Sequence, residues 1–232
     1  MQNILILDIE ATGLDHQKDT VVEVAAALWS VPHRALLDVR SMLVRTEQLN
    51  AAFHVNRIPD ALIAQGNVGW SEAESLIGDM MYDADATVAH NADYDRAWFS
   101  KDVAERTPWI CSCDDLDWPR TTQSKGLVSL ALDHGVGVVS AHRALADVLT
   151  LARLFEAVAP ILELQGRTLE EFLARGLRPK ARFQALVPIE RKDEAKSAGF
   201  HWNPGPVGKG WFRNMAIEDA ALLRFPTRQV AK

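Results

Sequence analysis

Up to Arg45 the chain offers three strand-like stretches in succession, with no helical pattern between them, and that order limits the folds open to it. Asn3–Ile9 is an apolar run closed by acids, Val21–Trp29 is rich in Val and Ala, and Ala35–Arg45 alternates apolar with polar residues. Gly13-Leu14-Asp15 and Val31-Pro32-His33 separate them. Helical patterns follow at Asp60–Gln65 and Ser71–Tyr82, where Ser71 is placed to cap, with Glu74 three residues on. Thereafter strand and helix patterns alternate: strand Ala86–His90, helix Asp93–Val103, strand Trp109–Cys113, short helix Leu127–Asp133 and amphipathic helix Ala144–Val158. Consecutive strands followed by a β/α alternation predict an α/β domain: a mixed sheet with helices packed on it.

After Pro160 the character changes. Leu169–Ala174 reads as a short helix, and 175–180 as a basic connector containing Gly and Pro. A strand at Phe183–Val187, a helix at Glu190–Ala198, a turn at 201–206 and a strand at Gly210–Arg213 make a small α+β module, with Trp202 and Trp211 as its expected core. The reading is thus residues 1–160, a connector over 161–180, and a module over 181–232. The net charge of −6 is uneven: residues 1–159 hold 12 basic and 23 acidic side chains, residues 160–232 hold 13 and 8. With 48% apolar residues the chain has material for a core and is not a disordered chain. No apolar run reaches membrane-span length, and Cys111 and Cys113, expected to be buried thiols, offer no disulfide framework. A cytoplasmic protein without membrane contact is the expectation.

Three short segments carry chemistry. Asp8 and Glu10 stand two apart at a strand end, so strand periodicity points both carboxylates to one face, where a divalent cation could hold them ionised together. Thr12-Gly13 follows, bringing backbone amides and a residue without Cβ to the same place. His90-Asn91-Ala92-Asp93-Tyr94-Asp95 closes a second strand and opens a helix; either acid could serve the helix N-terminus, Asp93 as its cap and Asp95 through the dipole. In Ala141-His142-Arg143-Ala144-Leu145-Ala146-Asp147, an offset of five residues on one helix would set His142 and Asp147 about 140° apart. Both reach one site only if His142 lies on the preceding loop and Asp147 in the first turn.

Together these segments resemble the DEDDh (DnaQ-like) superfamily of 3′–5′ exonucleases. Asp8, Glu10, Thr12 and Gly13 match its D-x-E-x-T-G motif; His90, Asn91, Tyr94 and Asp95 match H-N-x-x-F/Y-D; and His142, Arg143, Ala144 and Asp147 match H-R-A-x-x-D. Order and spacing agree over roughly residues 2–158. Ala11 stands where the family often has Thr, and Asp93 is an additional acid at a variable position.

The resemblance implies a ribonuclease-H-like fold with a mixed five-stranded sheet. It also implies two divalent cations, Mg²⁺ or Mn²⁺, held by Asp8, Glu10, Asp95 and Asp147, with His142 as general base. Thr12, Gly13 and Leu14 would contact the terminal nucleotide, while His90 and Asn91 would order the second motif and border the substrate. The implied reaction releases 5′-mononucleotides from a nucleic-acid 3′ end, DNA ahead of RNA. A short-RNA exoribonuclease and a non-catalytic nucleic-acid or partner-binding relative are the alternatives, and a homodimer is compatible with either. The basic C-terminal module, its positive charge interleaved with aromatics, is expected to contact nucleic acid or another protein.

Overall fold

A computed structural model describes residues 1–122, 124–205 and 208–231, which divide into two compact units, Met1–Gly176 and Leu177–Lys232. In the first, β1 (Asn3–Ala11), β2 (Val21–Ser30) and β3 (Ala35–Leu43) form an antiparallel meander. Helices α1 (Phe53–Asn56), α2 (Asp60–Ile63) and α3 (Trp70–Met81) follow. Then come β4 (Ala86–Ala89), α4 (Ala92–Arg96), α5 (Lys101–Ala104) and β5 (Trp109–Cys111), with α6 (Leu127–Asp133), α7 (Ala144–Leu164) and α8 (Leu169–Arg175) completing the unit. Strand order is β3-β2-β1-β4-β5, and the β1–β4 and β4–β5 pairs are parallel. This is the mixed five-stranded, helix-flanked sheet that the strand succession and the resemblance both imply.

Because β1 and β2 lie centrally and are covered on both faces, they read as continuous apolar runs rather than alternating ones. Ile4, Ile6, Ala25, Ala27 and Trp29 pack with Leu151, Phe155 and Val158 of α7 on one face. Leu5, Leu7, Ile9, Val24 and Ala26 pack with Ala73, Ile77 and Met81 of α3 on the other. Each of these large apolar side chains contributes roughly 1.5–3 kcal/mol through burial. Continuing the alternation Ile4, Ile6 along β1 puts Asp8 and Glu10 on the α7 face, where the sheet ends.

Several local expectations change. Helix α3 begins at Trp70 after Gly69, without a side-chain cap, and Glu74 instead accepts from the Ser100 amide. The helix expected over Asp93–Val103 is two short ones, α4 and α5. Cys111 and Cys113 are half-buried rather than buried, and are not joined by a disulfide. Helix α7 runs on through Pro160: the ring removes one amide donor, but Ala159 and Leu162 stay in the core and hold the helix together. Much of the anticipated connector belongs to this unit. Thr168 and Glu171 form a capping box that starts α8, whose Leu169, Phe172 and Leu173 join the same core.

The second unit is a four-stranded antiparallel sheet of β6 (Lys180–Ala185), β7 (His201–Gly205), β8 (Gly208–Ala216) and β9 (Thr227–Val230), ordered β7-β8-β6-β9. A 3₁₀ turn at Ile189–Arg191, α9 (Lys192–Ser197) and α10 (Ile217–Ala220) complete it. Its core is Ala181, Phe183, Ala185, Ala195, Phe200, Met215 and Phe225. The turn expected at 201–206 is mostly strand, and Pro206 lies outside the described residues. Trp202 is 52% exposed and meets Trp211 edge-on, so only Trp211 leans on the core. Among the described residues no helix is long and apolar enough to cross a membrane.

Candidate active site

Three chain segments far apart in sequence converge at the end of β1. A cavity of about 550 Å³ is lined by Asp8, Glu10, Leu14, His90, Asn91, Tyr94, Asp95, His142 and Asp147. Eight of the ten anticipated site residues therefore meet there. Thr12 and Gly13 line a second cavity of about 250 Å³ that shares Glu10, Leu14 and Tyr94 with the first and continues to Ala51, Ala52, His54 and Val55. Leu14, 86% exposed, stands at the border of the two.

Each segment is held by identifiable bonds. Asn91, in the left-handed region at φ 77°, turns the chain out of β4 into α4, which carries Asp95 inward to 1% exposure. There Asp95 Oδ1 accepts from the Ile9 amide at 3.1 Å, tying α4 to β1. Asp95 Oδ2 is buried too and has no hydrogen-bond partner among the described residues. His142 also has positive φ, 60°, and its amide donates to Asp147 Oδ2 at 3.0 Å. His142 thus sits on the loop and Asp147 in the first turn of α7, the arrangement their offset requires. One carboxylate oxygen of Asp147, one of Glu10 and one His142 ring nitrogen lie within 4.8 Å of each other.

The third segment is anchored by Glu23, which sequence reasoning missed. It is opposite Glu10 in the β1–β2 register and buried at 4% exposure. Its carboxylate accepts from Arg143 Nε at 3.0 Å, from Arg143 Nη2 at 2.7 Å and from the Ala144 amide at 2.9 Å. The available signal was an acid in an otherwise apolar central strand, since a buried charge demands a partner. Tyr94, noted only as a motif match, donates from its hydroxyl to the Gly13 carbonyl at 3.1 Å, joining α4 to the loop after β1. Asn56, which stands in none of the three motifs, is fully buried and donates to the Ala11 carbonyl at 3.2 Å.

The loop after β1 is more closed than anticipated. The Thr12 amide donates to the Thr20 carbonyl and is not an exposed donor, while the Thr12 hydroxyl accepts from the Thr20 amide. A Cβ on Gly13 would come within 2.3 Å of the Asp19 carboxylate and would displace it from its bonds to the Thr12 hydroxyl and the Asp15 amide.

The acids share one electrostatic problem. Burial first, then Asp95, Asp147, Glu10 and Glu23, hold the Asp8 carboxyl well above its usual range. Glu10 is pushed up to about 8 by burial and by Asp147 and Glu23, with Arg143 opposing. Asp95 and Asp147 are raised mainly by burial, although the amides of Ile9 and His142 pull the other way. Burial also brings His90 down to about 4, so its imidazole is neutral near pH 7 while Nδ1 bonds Ser112 Oγ at 2.9 Å. Four crowded carboxyls that resist ionisation, one of them with an unpartnered buried oxygen, fit hard divalent cations, which prefer oxygen donors and remove that repulsion.

Residues 5–155 match the protein family described as Exonuclease, and residues 181–230 match a family described as a domain of unknown function. The chain is 26% identical to a PolC-type DNA polymerase III of Staphylococcus saprophyticus, over 70% of this chain but only 12% of the polymerase. A structure of exonuclease X in complex with 5′-overhanging duplex DNA is similar at 25% identity with a TM-score of 0.54, covering 75% of this chain and 99% of that one. The zinc-bound complex of Escherichia coli exonuclease I with single-stranded DNA has a TM-score of 0.60 at 14% identity, over 70% of this chain and 41% of that one, and shares the fold.

Proposed function

This chain belongs to the exonuclease family, and from that premise we propose that it removes mononucleotides one at a time from the 3′ end of DNA, single-stranded or frayed. The observation that carries the proposal is the meeting of Asp8, Glu10, Asp95, Asp147 and His142 around one cavity. The similarity to exonuclease X, a DNA-bound structure of which this chain covers almost the whole, favours DNA over RNA.

Asp8, Glu10, Asp95 and Asp147 would hold two divalent cations, Mg²⁺ or Mn²⁺. Bound there, the pair would lower the pKa of an attacking water and stabilise charge on the leaving 3′-oxygen. His142 is the general base, and a ring nitrogen takes the water's proton. Its backbone amide is fixed on Asp147 while its side chain is exposed, so the imidazole can turn without the loop moving. Leu14 offers an apolar edge to the terminal base, and the Thr12-Gly13 turn seats the nucleotide in the smaller cavity. His90 is neutral and bonded to Ser112; with Asn91 it shapes the turn that delivers Asp95, and both border the substrate.

Polarity and substrate can be tested together on 5′-labelled DNA and RNA of one sequence. The expected result is a ladder of progressively shorter labelled DNA products, with 5′-mononucleotides accumulating, and slower degradation of RNA. Immediate release of the 5′ label as a mononucleotide would overturn the polarity.

A further inference from the structure

The unit Leu177–Lys232 has 11 basic and 5 acidic side chains, and the structure separates them by face. All the acids stand on the 3₁₀ turn, α9 and α10, where Glu194 pairs with Arg191, Asp193 with Lys196, and Glu218 and Asp219 with Arg178. Strands β6, β7, β8 and β9 contain none. Ala181, Phe183 and Ala185 fill the core, so the alternate residues of β6 (Lys180, Arg182 and Gln184) face the other way.

Register extends that second face across the sheet. Arg182 is opposite Asn214 and Val230, and Gln184 is opposite Phe212 and Arg228; beyond them, His201 is opposite Phe212. Lys180 and Arg182 are two residues apart, about 6.6 Å along the strand. Arg228 is the diagonal neighbour of Arg182 on β9, about 7–8 Å away. The three cations therefore make an oblique stripe. Arg182 packs over the Phe212 ring at 5.0 Å, and Arg228 donates to Gln184. Neither has an acidic partner among the described residues. Exposed His201, Asn203 and Asn214 add hydrogen-bonding groups beside the stripe.

We propose that this sheet face binds a single-stranded nucleic acid, with phosphates along Lys180, Arg182 and Arg228 and the amides reading unpaired base edges. A regularly charged polyanion complements a sheet whose strands bring cations and no acidic residue to this face. A duplex reader would present a helix or ribbon to a groove. Here the longest helix, α9, has six residues and packs on the opposite side through Ala195.

The test is fluorescence anisotropy of the full-length chain with a labelled oligo-dT strand, in chelator and over a range of salt. Hydrolysis is then off, so failure of the exonuclease reading leaves the measurement intact. Removing two phosphate contacts with R182Q/R228Q is expected to make the slope of log K against log salt shallower by about 1.4. R228Q alone, which leaves the Arg182–Phe212 packing in place, should account for about 0.7 of that. K192Q/R224Q, with the same net charge but outside the strands, should leave the slope at the wild-type value. An unchanged slope in R182Q/R228Q, an equal loss in K192Q/R224Q, or tighter binding of a duplex of the same length would each overturn the proposal.

Discussion

Replacing Glu23 with Gln tests whether the strand beside the site governs the loop that carries His142. The carboxylate accepts three donors, two from Arg143 and one from the Ala144 amide. In Glu23→Gln one acceptor oxygen becomes an NH₂ group facing donors, so at least one bond is lost whichever way the amide is turned. The Arg143 side chain is 36% exposed, and water replaces part of what it loses, leaving about 1 kcal/mol. Turned so that its NH₂ takes the place of Oε1, the Gln amide keeps its oxygen on Arg143 Nε and on the buried Ala144 amide, and only the Arg143 Nη2 bond is given up. The prediction is a destabilisation of about 1 kcal/mol, a drop of about 2–4 °C in Tm for a unit of this size.

Arg143 and Ala144 lie between His142 and Asp147, so displacing them by about 1 Å should lower kcat about 10²-fold. Because the smaller cavity is untouched, KM should change little. Thermal unfolding and steady-state release from a 5′-labelled strand, run in parallel, measure both effects. Wild-type kcat and Tm within error in Glu23→Gln would refute the reasoning. A double-mutant cycle with Arg143→Gln should give a coupling of about 1 kcal/mol for the pair.

Asp8→Asn and Asp147→Asn are each expected to abolish hydrolysis, as is chelation; activity of Asp8→Asn within threefold of wild type counts against the proposed site. His142→Ala should slow turnover by about 10²–10⁴-fold while anisotropy shows nearly unchanged binding, and a matching loss of binding would assign His142 a different role. The cation-free protein should become less stable as pH rises. Glu10 titrates at about 8 in the folded chain against an ordinary 4.5, so folding favours its protonated form and loses that advantage between those values. Asp8, Asp95 and Asp147 are shifted in the same direction. Melting curves in chelator should therefore fall from about pH 5 to about pH 8, with Mn²⁺ restoring the loss; a flat profile in chelator would contradict the shifts.

Much of the site is legible because its parts are local. The D-x-E spacing on β1 fixes a shared face through strand periodicity, and the offset between His142 and Asp147 leaves only the loop-and-first-turn solution. What could not be read depends on partners distant in sequence. Glu23 reads as one acid in a Val/Ala-rich strand until Arg143, 120 residues away, closes on it. Asn56 belongs to no motif, and only the fold brings its amide to the Ala11 carbonyl 45 residues away. In the C-terminal unit, the Asn, Pro and Gly of 201–205 carry turn chemistry, yet pairing with β8 makes the segment a strand. The polar segment Thr227–Val230 becomes an edge strand only because β6 is there to receive it. Helix α7 outlasts Pro160 because burial of the residues around it exceeds the cost of one missing donor.

The bond from the Ile9 amide to Asp95 Oδ1 joins residues 86 apart in sequence. Ile9 stands between Asp8 and Glu10 on β1, so the strand that carries two of the acids and the helix that carries a third are coupled as one piece. A substitution that tilted α4 would therefore carry all three along and change their spacing to Asp147 alone.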